Sequence, residues 1–326
     1  MYGATQEVSF QCVQQAAQRL AGQAVRTPVL RVPLLDQRVG AQLYIKCENL
    51  QLVGAFKFRG AFNAIACLDT TQRDRGVVAF SSGNHGQAVA LAASKFAIPA
   101  TIVMPTDAPR IKVDNVRGYG AEVVHYDRLS EDREEIALEI AQRRGASLIP
   151  PFAHPHVIAG QGTAALELFE EQPELDLLFV PLGGGGLLSG TLLAQQALAP
   201  GCQVYGVEPQ AGNDGLQSLR SGEIVQIAPP QSIADGALTQ ALAPLTFAII
   251  RSFAQGVLTV SDEALIQAMQ VAATDLKLVI EPTAALGLAA VLQQEVPVRD
   301  KKVGVIVSGG NVDPVRYGQW LCRAAD

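Results

Sequence analysis

The chain is poor in the residues that build stapled, metal-clipped or highly charged proteins. Its 326 residues include only five cysteines, Cys12, Cys47, Cys67, Cys202 and Cys322, odd in number and scattered, with no C-x-x-C pair. That pattern excludes a disulfide framework and a zinc knuckle, and it predicts a reducing, cytoplasmic setting. Charged residues make up only 17%, and 25 Lys and Arg face 31 Asp and Glu, for a net charge of −6. A nucleic-acid partner is therefore not expected. Met1 to Gln11 has no basic start and no apolar stretch, so no signal peptide is expected.

Long apolar runs are equally scarce. Leu177 to Ala194 carries no charge over about the length that spans a bilayer, but it contains Pro181 and four consecutive glycines, Gly183 to Gly186. A glycine run of that kind leaves backbone groups unsatisfied in lipid, which excludes a membrane span. The segment reads instead as a strand, Leu177 to Val180, a glycine loop, and a helix beginning near Leu187, an arrangement suited to a phosphate.

What the chain has is apolar residues, 48% of the total, enough for a large core. At roughly 150 residues per domain its length predicts about two domains. Short β-branched runs alternate with alanine-rich stretches, the signature of a parallel α/β sheet with crossover helices. Strands are expected at Leu43–Ile45, Gly76–Phe80, Ala100–Met104, Glu122–His125, Leu177–Val180, Gln203–Val207 and Val303–Val307, and helices at Gln87–Lys95, Ser130–Arg144 and Thr163–Glu171. Three evenly spaced strands between Gly76 and Ser147, closed by Pro150-Pro151, predict a compact inserted domain.

Three glycine-punctuated segments carry chemistry. In Gly54-Ala55-Phe56-Lys57-Phe58-Arg59-Gly60 a lysine sits between phenylalanines where a helix begins. Apolar neighbours and a helix N-terminus both disfavour an ammonium, so a neutral amine able to form a Schiff base becomes available; a snorkelling surface lysine fits the same local sequence. Ser81-Ser82-Gly83-Asn84-His85-Gly86-Gln87 follows a strand and precedes a helix, offering hydroxyls, an amide, an imidazole and N–H groups to a carboxylate. Gly183 to Gly186 is neither a Walker loop nor a dinucleotide fingerprint, so its phosphate belongs to something other than ATP or NAD. A last strand ends in Ser308-Gly309-Gly310-Asn311, placing a hydroxyl at the edge where open α/β sheets bind ligands. Lysine, phosphate loop and strand-end hydroxyl together point to pyridoxal 5′-phosphate held as an imine.

With these motifs, and with Arg26-Thr27-Pro28-Val29, Ala159 to Thr163, Ile233 to Gly236, Glu281-Pro282-Thr283-Ala284 and Ser308 to Asp313 in order along nearly the whole chain, the sequence resembles fold-type II pyridoxal-phosphate enzymes of the serine racemase and serine/threonine dehydratase branch. The resemblance implies two open, twisted, mostly parallel sheets flanked by helices, with the active site between two domains: residues 1–68 and 152–326 as a discontinuous cofactor-binding domain, and 72–150 as the inserted one. It implies that Lys57 carries the cofactor and takes the Cα proton, that Phe56 packs beside the ring, and that Asn84 meets the 3-hydroxyl. Gly183, Gly184, Gly185, Gly186 and the N–H of Leu187 would hold the phosphate, Ser308 the ring nitrogen, and Glu281 belongs to the same cofactor-binding set. Ser81, His85, Gln87 and Arg133 match the substrate-carboxylate pocket.

The resemblance further implies β-elimination from L-serine, L-threonine or a related 3-hydroxy amino acid, giving a 2-oxo acid and ammonia. Ser82 matches the racemase branch, where a second serine reprotonates Cα from the opposite face, while Phe152 matches the dehydratases. Racemisation of serine or aspartate and ammonia-lyase action on 3-hydroxyaspartate stand as alternatives. Glu208, Gly212 and Asp214 resemble a divalent-cation site for Mg²⁺ or Ca²⁺, a segment that by its residues alone equally suits an acidic strand-end turn. A homodimer is implied, whereas Leu52 and Val53 depart from the nucleotide-regulated pattern and the residues after Ser308 are too few for a C-terminal regulatory domain.

Overall fold

The computed structural model describes residues 8–81, 83–108 and 110–323. Among these residues ten strands form two sheets. The larger comprises β1 (Val29–Leu30), β2 (Gln42–Cys47), β7 (Leu177–Pro181), β8 (Gln203–Pro209), β9 (Gly256–Val260) and β10 (Lys302–Val307), in the order β1-β2-β10-β7-β8-β9. The smaller comprises β3 (Val77–Phe80), β4 (Ala100–Pro105), β5 (Glu122–Tyr126) and β6 (Ser147–Leu148), in the order β5-β4-β3-β6. Every pairing is parallel except β1 with β2. The small sheet is inserted between β2 and β7 of the large one.

The central strands are buried along their length, as expected of a parallel sheet covered by helices on both faces. All seven anticipated strands are present within a residue or two of their predicted ends, and β1, β6 and β9 join them. Helices depart more. The one expected from Gln87 starts at Asn84, inside the polar loop, and the one expected from Thr163 starts at Pro155, whose fixed φ suits a first helical turn. The stretch expected from Ser130 starts at Arg133, because the Asp132 carboxylate caps it by accepting from the N–H groups of Glu134 and Glu135.

One helix contact positions the site. The lysine-bearing helix, Lys57–Ala66, crosses the helix Pro155–Glu171 so closely that a Cβ on Gly160 would lie 2.6 Å from the Cα of Gly60. Only glycine at both positions permits that approach. Gln161 locks it, its Oε1 accepting from the Gly60 N–H at 3.0 Å.

Candidate active site

Lys57 is the first residue of its helix, and the chain before it is stitched to the end of β10. The Phe56 N–H donates to the Ser308 carbonyl at 3.0 Å, and the Gly310 N–H donates to the Gly54 carbonyl at 2.9 Å. These bonds bring the lysine and Ser308, 251 positions apart in sequence, to one wall. The Lys57 ammonium donates to the Pro151 carbonyl at 2.9 Å and lies 5.1 Å from the centre of the Phe56 ring. Burial pulls its pKa from the ordinary 10.5 to about 8, partly offset by the negative field of Glu281. A neutral amine is thus accessible near physiological pH.

Lys57 faces a cavity of about 440 Å³ lined also by Gly183 to Gly186, Leu187, Ser308, Asn84, Glu281 and Phe152. The glycine loop leaves β7 and enters the helix Gly186–Leu198, whose first N–H groups have no partner within the helix. Gly185 there has φ +85°, and a Cβ on Gly184 would sit 2.2 Å from the Phe152 ring, so both positions demand glycine. The result is a cradle of backbone donors at the positive end of a helix, the chemistry an anionic phosphate needs.

A polar relay crosses the cavity floor. Asn311 Nδ2 donates to Asn84 Oδ1 at 2.8 Å and to the Val53 carbonyl at 2.7 Å. Asn84 Nδ2 in turn donates to both oxygens of Glu281, at 2.8 and 3.1 Å. Glu281 is buried, and burial with the nearby Asp235 charge lifts its pKa to about 7, against the pull of the Asn84 bond and the charge of Lys112. Asn311 was not singled out from sequence, although it stands within the Ser308 motif.

The anticipated carboxylate pocket is partly rearranged. Ser81 and Arg133 line the cavity, the latter with its guanidinium 5.7 Å from the Phe80 ring centre. Buried His85 also lines it, but its Nε2 is 2.8 Å from the Ile149 carbonyl and its Nδ1 has no partner among the described residues. Burial and the Lys57 charge push its pKa to about 3, so it faces a substrate as a neutral acceptor and not as a cation. Gln87 does not line the cavity; it is buried, and its Oε1 accepts from Asn115 Nδ2 at 3.1 Å. Ser82 lies outside the described residues. Lys112 and Arg128, unremarked in the sequence, line the cavity too, as does Asp235 of the Ile233 to Gly236 motif, which was given no role there. Arg128 lies two residues past β5 and Lys112 in the first turn of the helix that follows β4, and the carboxyl edge of a parallel sheet is the signal that could have found them.

Glu208 and Asp214 lie apart from this cavity. Glu208 is the last residue but one of β8, is fully buried, and accepts from the N–H groups of Gly215 and Leu216 at 2.9 and 3.0 Å. Asp214 is also buried, and neither of its carboxylate oxygens has a partner among the described residues. Burial raises Glu208 to about 8, helped by the Asp214 charge, and raises Asp214 to about 7. Gly212 is buried in the same turn. Among the described residues no group of three or more His, Cys, Asp and Glu side chains is placed to hold a metal. The donors present are two carboxylates and backbone carbonyls, hard oxygen ligands that fit a cation such as Mg²⁺ or Ca²⁺.

Comparison with known proteins agrees with the cofactor chemistry of the cavity. A family model described as pyridoxal-phosphate dependent enzyme matches residues 20–309. The chain is 56% identical to L-threo-3-hydroxyaspartate ammonia-lyase of Saccharomyces cerevisiae, covering 95% of each chain. It is 52% identical to serine racemase of Schizosaccharomyces pombe, covering 97% of this chain and 98% of the other. The solved structure of maize serine racemase superposes with a TM-score of 0.92 at 41% identity, over 96% of both chains. With its half-buried amine, glycine cradle and strand-end hydroxyl around one cavity, the chain belongs to the pyridoxal-phosphate-dependent enzyme family, in its fold-type II branch.

Proposed function

We propose that this protein catalyses β-elimination on a 3-hydroxy amino acid, L-serine, L-threonine or 3-hydroxyaspartate, releasing a 2-oxo acid and ammonia. The observation that carries the reading is Lys57, a half-buried amine facing a glycine-loop cradle across one cavity, where desolvation draws its pKa down to about 8. Pyridoxal phosphate, when bound, supplies an aldehyde for imine formation and an electron sink for the Cα–H bond.

The residues divide the work. Gly183 to Gly186 and the Leu187 N–H would hold the phosphate, Ser308 the ring nitrogen, and Asn84, braced by Glu281, the 3-hydroxyl, with Phe56 beside the ring. Ser81 and the free N–H groups at the start of the helix Asn84–Lys95 take the α-carboxylate, with Arg133 adding positive charge. Lys57, as neutral amine, removes the Cα proton on its face of the substrate. A serine at the ring nitrogen supplies a hydrogen bond without a full negative charge, which favours expulsion of the β-hydroxyl over amino-group exchange. The Cα–H and Cβ–O bonds break, water leaves, and hydrolysis of the released enamine consumes one water to yield 2-oxo acid and ammonia.

Racemisation is the second reading, supported by Ser82 and by the likeness to the Schizosaccharomyces pombe serine racemase. Ser82 would return a proton to Cα on the face opposite Lys57. Purified protein with pyridoxal phosphate is expected to show a visible imine band that Lys57→Ala abolishes, and 2-oxo acid is expected to exceed D-isomer from the same substrate. Dominant D-isomer, reduced by Ser82→Ala, would establish racemisation instead; absence of the band would overturn both.

The same reading gives Glu208, Asp214 and the Gly212 carbonyl a divalent cation, supported by the two Asp214 oxygens that have no partner among the described residues. Mg²⁺ or Ca²⁺ is expected to raise the melting temperature and Asp214→Asn to remove that rise; an equal rise in both proteins would exclude the site. The scattered free thiols support a cytoplasmic enzyme, and the resemblance supports a homodimer.

A further inference from the structure

We propose that Lys112 is the specificity-determining residue for substrates with a second carboxylate, taking that group in place of Asp235. The inference deepens the elimination reading and rests on it. The parallel small sheet turns the carboxyl ends of β3, β4 and β5 toward the cavity, and the helices that next follow them start at Asn84, Arg110 and Arg133. Each helix start carries partial positive charge, so this wall is electropositive before side chains are counted. Cations are disfavoured at that end of a helix. Yet Arg133 is the first residue of its helix and Lys112 the third of its own, and both line the cavity.

Among the described residues the charges lining the cavity are four cations, Lys57, Lys112, Arg128 and Arg133, against two carboxylates, Asp235 and Glu281. The glycine loop answers the cofactor phosphate, and Ser81 with the Asn84 helix answers the α-carboxylate. Arg128 and Lys112 on the small-sheet wall are claimed by neither. Arg128 is engaged by Asp107 at 2.8 Å. Lys112 has one anionic partner among the described residues, Asp235, at 3.4 Å. Tight charge-assisted bonds are about 2.7–2.9 Å, so this pairing is loose. The Lys112 side chain is only 20% exposed while that of Asp235 is 58% exposed, so Asp235 can turn to water when a carboxylate arrives. The ammonium lies 4.0 Å from where a Cβ on Gly83 would stand, which puts it over the Ser81–Asn84 loop assigned to the α-carboxylate. A substrate bound there by one carboxylate presents a second to Lys112, whereas the hydroxymethyl of serine presents no charge.

The test compares L-threo-3-hydroxyaspartate and L-serine as substrates of the holoenzyme, with Lys112→Met and Lys112→Arg beside the wild type. Lys112→Met is expected to lower kcat/KM about tenfold or more further for the dicarboxylic substrate than for L-serine, mainly through KM. Lys112→Arg should recover most of that loss. Equal losses with both substrates, or none with either, overturn the proposal. Succinate, which has two carboxylates and no hydroxyl or amine, serves as an unreactive probe of the same subsite, its binding followed by cofactor absorbance. Weaker succinate binding in Lys112→Met supports the assignment, and unchanged binding overturns it. No 2-oxo acid from any substrate overturns the elimination reading alone, with succinate still deciding the role of Lys112.

Discussion

Lys57 and Arg59 stand two residues apart on one helix, about 200° around its axis, and their surroundings treat them in opposite ways. Arg59 is fully buried, yet its guanidinium meets Glu48 at 2.7 and 2.8 Å, Glu167 at 2.7 and 2.8 Å, and Thr163 and the Val25 carbonyl at 3.2 Å. Burial works against its charge, but Glu48 and Glu167 outweigh that and push its pKa up. Lys46 joins the cluster, donating to Glu167 at 2.6 Å and to the Thr27 carbonyl at 2.7 Å, so two cations balance two carboxylates. Among the described residues Lys57 is bonded to one carbonyl and to no carboxylate. A saturated cation is held in place and stays charged; an unpaired one can surrender its proton. One helix thereby separates anchoring from reactivity.

Removing each cation sharpens the contrast. Lys57→Ala should abolish the imine band and lower turnover by about 10³-fold or more, checked by absorbance and 2-oxo acid assay. Arg59→Met should leave Glu48 and Glu167 with Lys46 alone to balance them, at a cost of about 3–5 kcal/mol in urea unfolding. Lys57→Met in cofactor-free protein should cost less than about 1 kcal/mol, since it removes a desolvated charge and no ion pair; equal costs at the two sites would break the comparison.

The next effect is on pH. The folded pKa of Lys57, about 8, lies below its ordinary 10.5, so between those values the folded chain holds fewer protons than the unfolded one. Wild-type stability relative to Lys57→Met should therefore rise with pH across that window. Cofactor capture should speed up about tenfold per pH unit below pH 8 and level off above it, as stopped-flow absorbance would show. Smallest of all is the exposed pair Arg26–Glu170, at 2.8 Å: Arg26→Ala should change stability by less than about 1 kcal/mol.

Strands with unbroken β-branched runs were legible in the sequence because parallel strands are buried on both faces, and the glycine loop and Lys57 were legible because their local neighbours carry the chemistry. β1 and β6, two residues each, give no periodic signal. The Asn311–Asn84–Glu281 relay joins residues 227 and 197 positions apart, a pairing only the fold supplies. His85 looked like a carboxylate-binding imidazole until burial and the Ile149 carbonyl settled its charge. Gln87 lies on the helix that carries the polar loop but turns toward Asn115, away from the cavity. Lys112 was hidden because a lone lysine after a strand is unremarkable until the sheet edge gathers it with Arg128 and Arg133.

The strand order also dictates a sequence of events on the ribosome. β3 to β6 emerge consecutively and are flanked only by one another, so the small sheet can pair as soon as they are out. The large sheet cannot, since β10 is made after every other strand yet sits between β2 and β7. Until it arrives, β2 keeps a bare edge and Lys57 lacks the Ser308 carbonyl that anchors its loop. A nascent chain therefore holds the reactive amine long before it holds the completed site, and capture of cofactor has to wait for β10 to emerge.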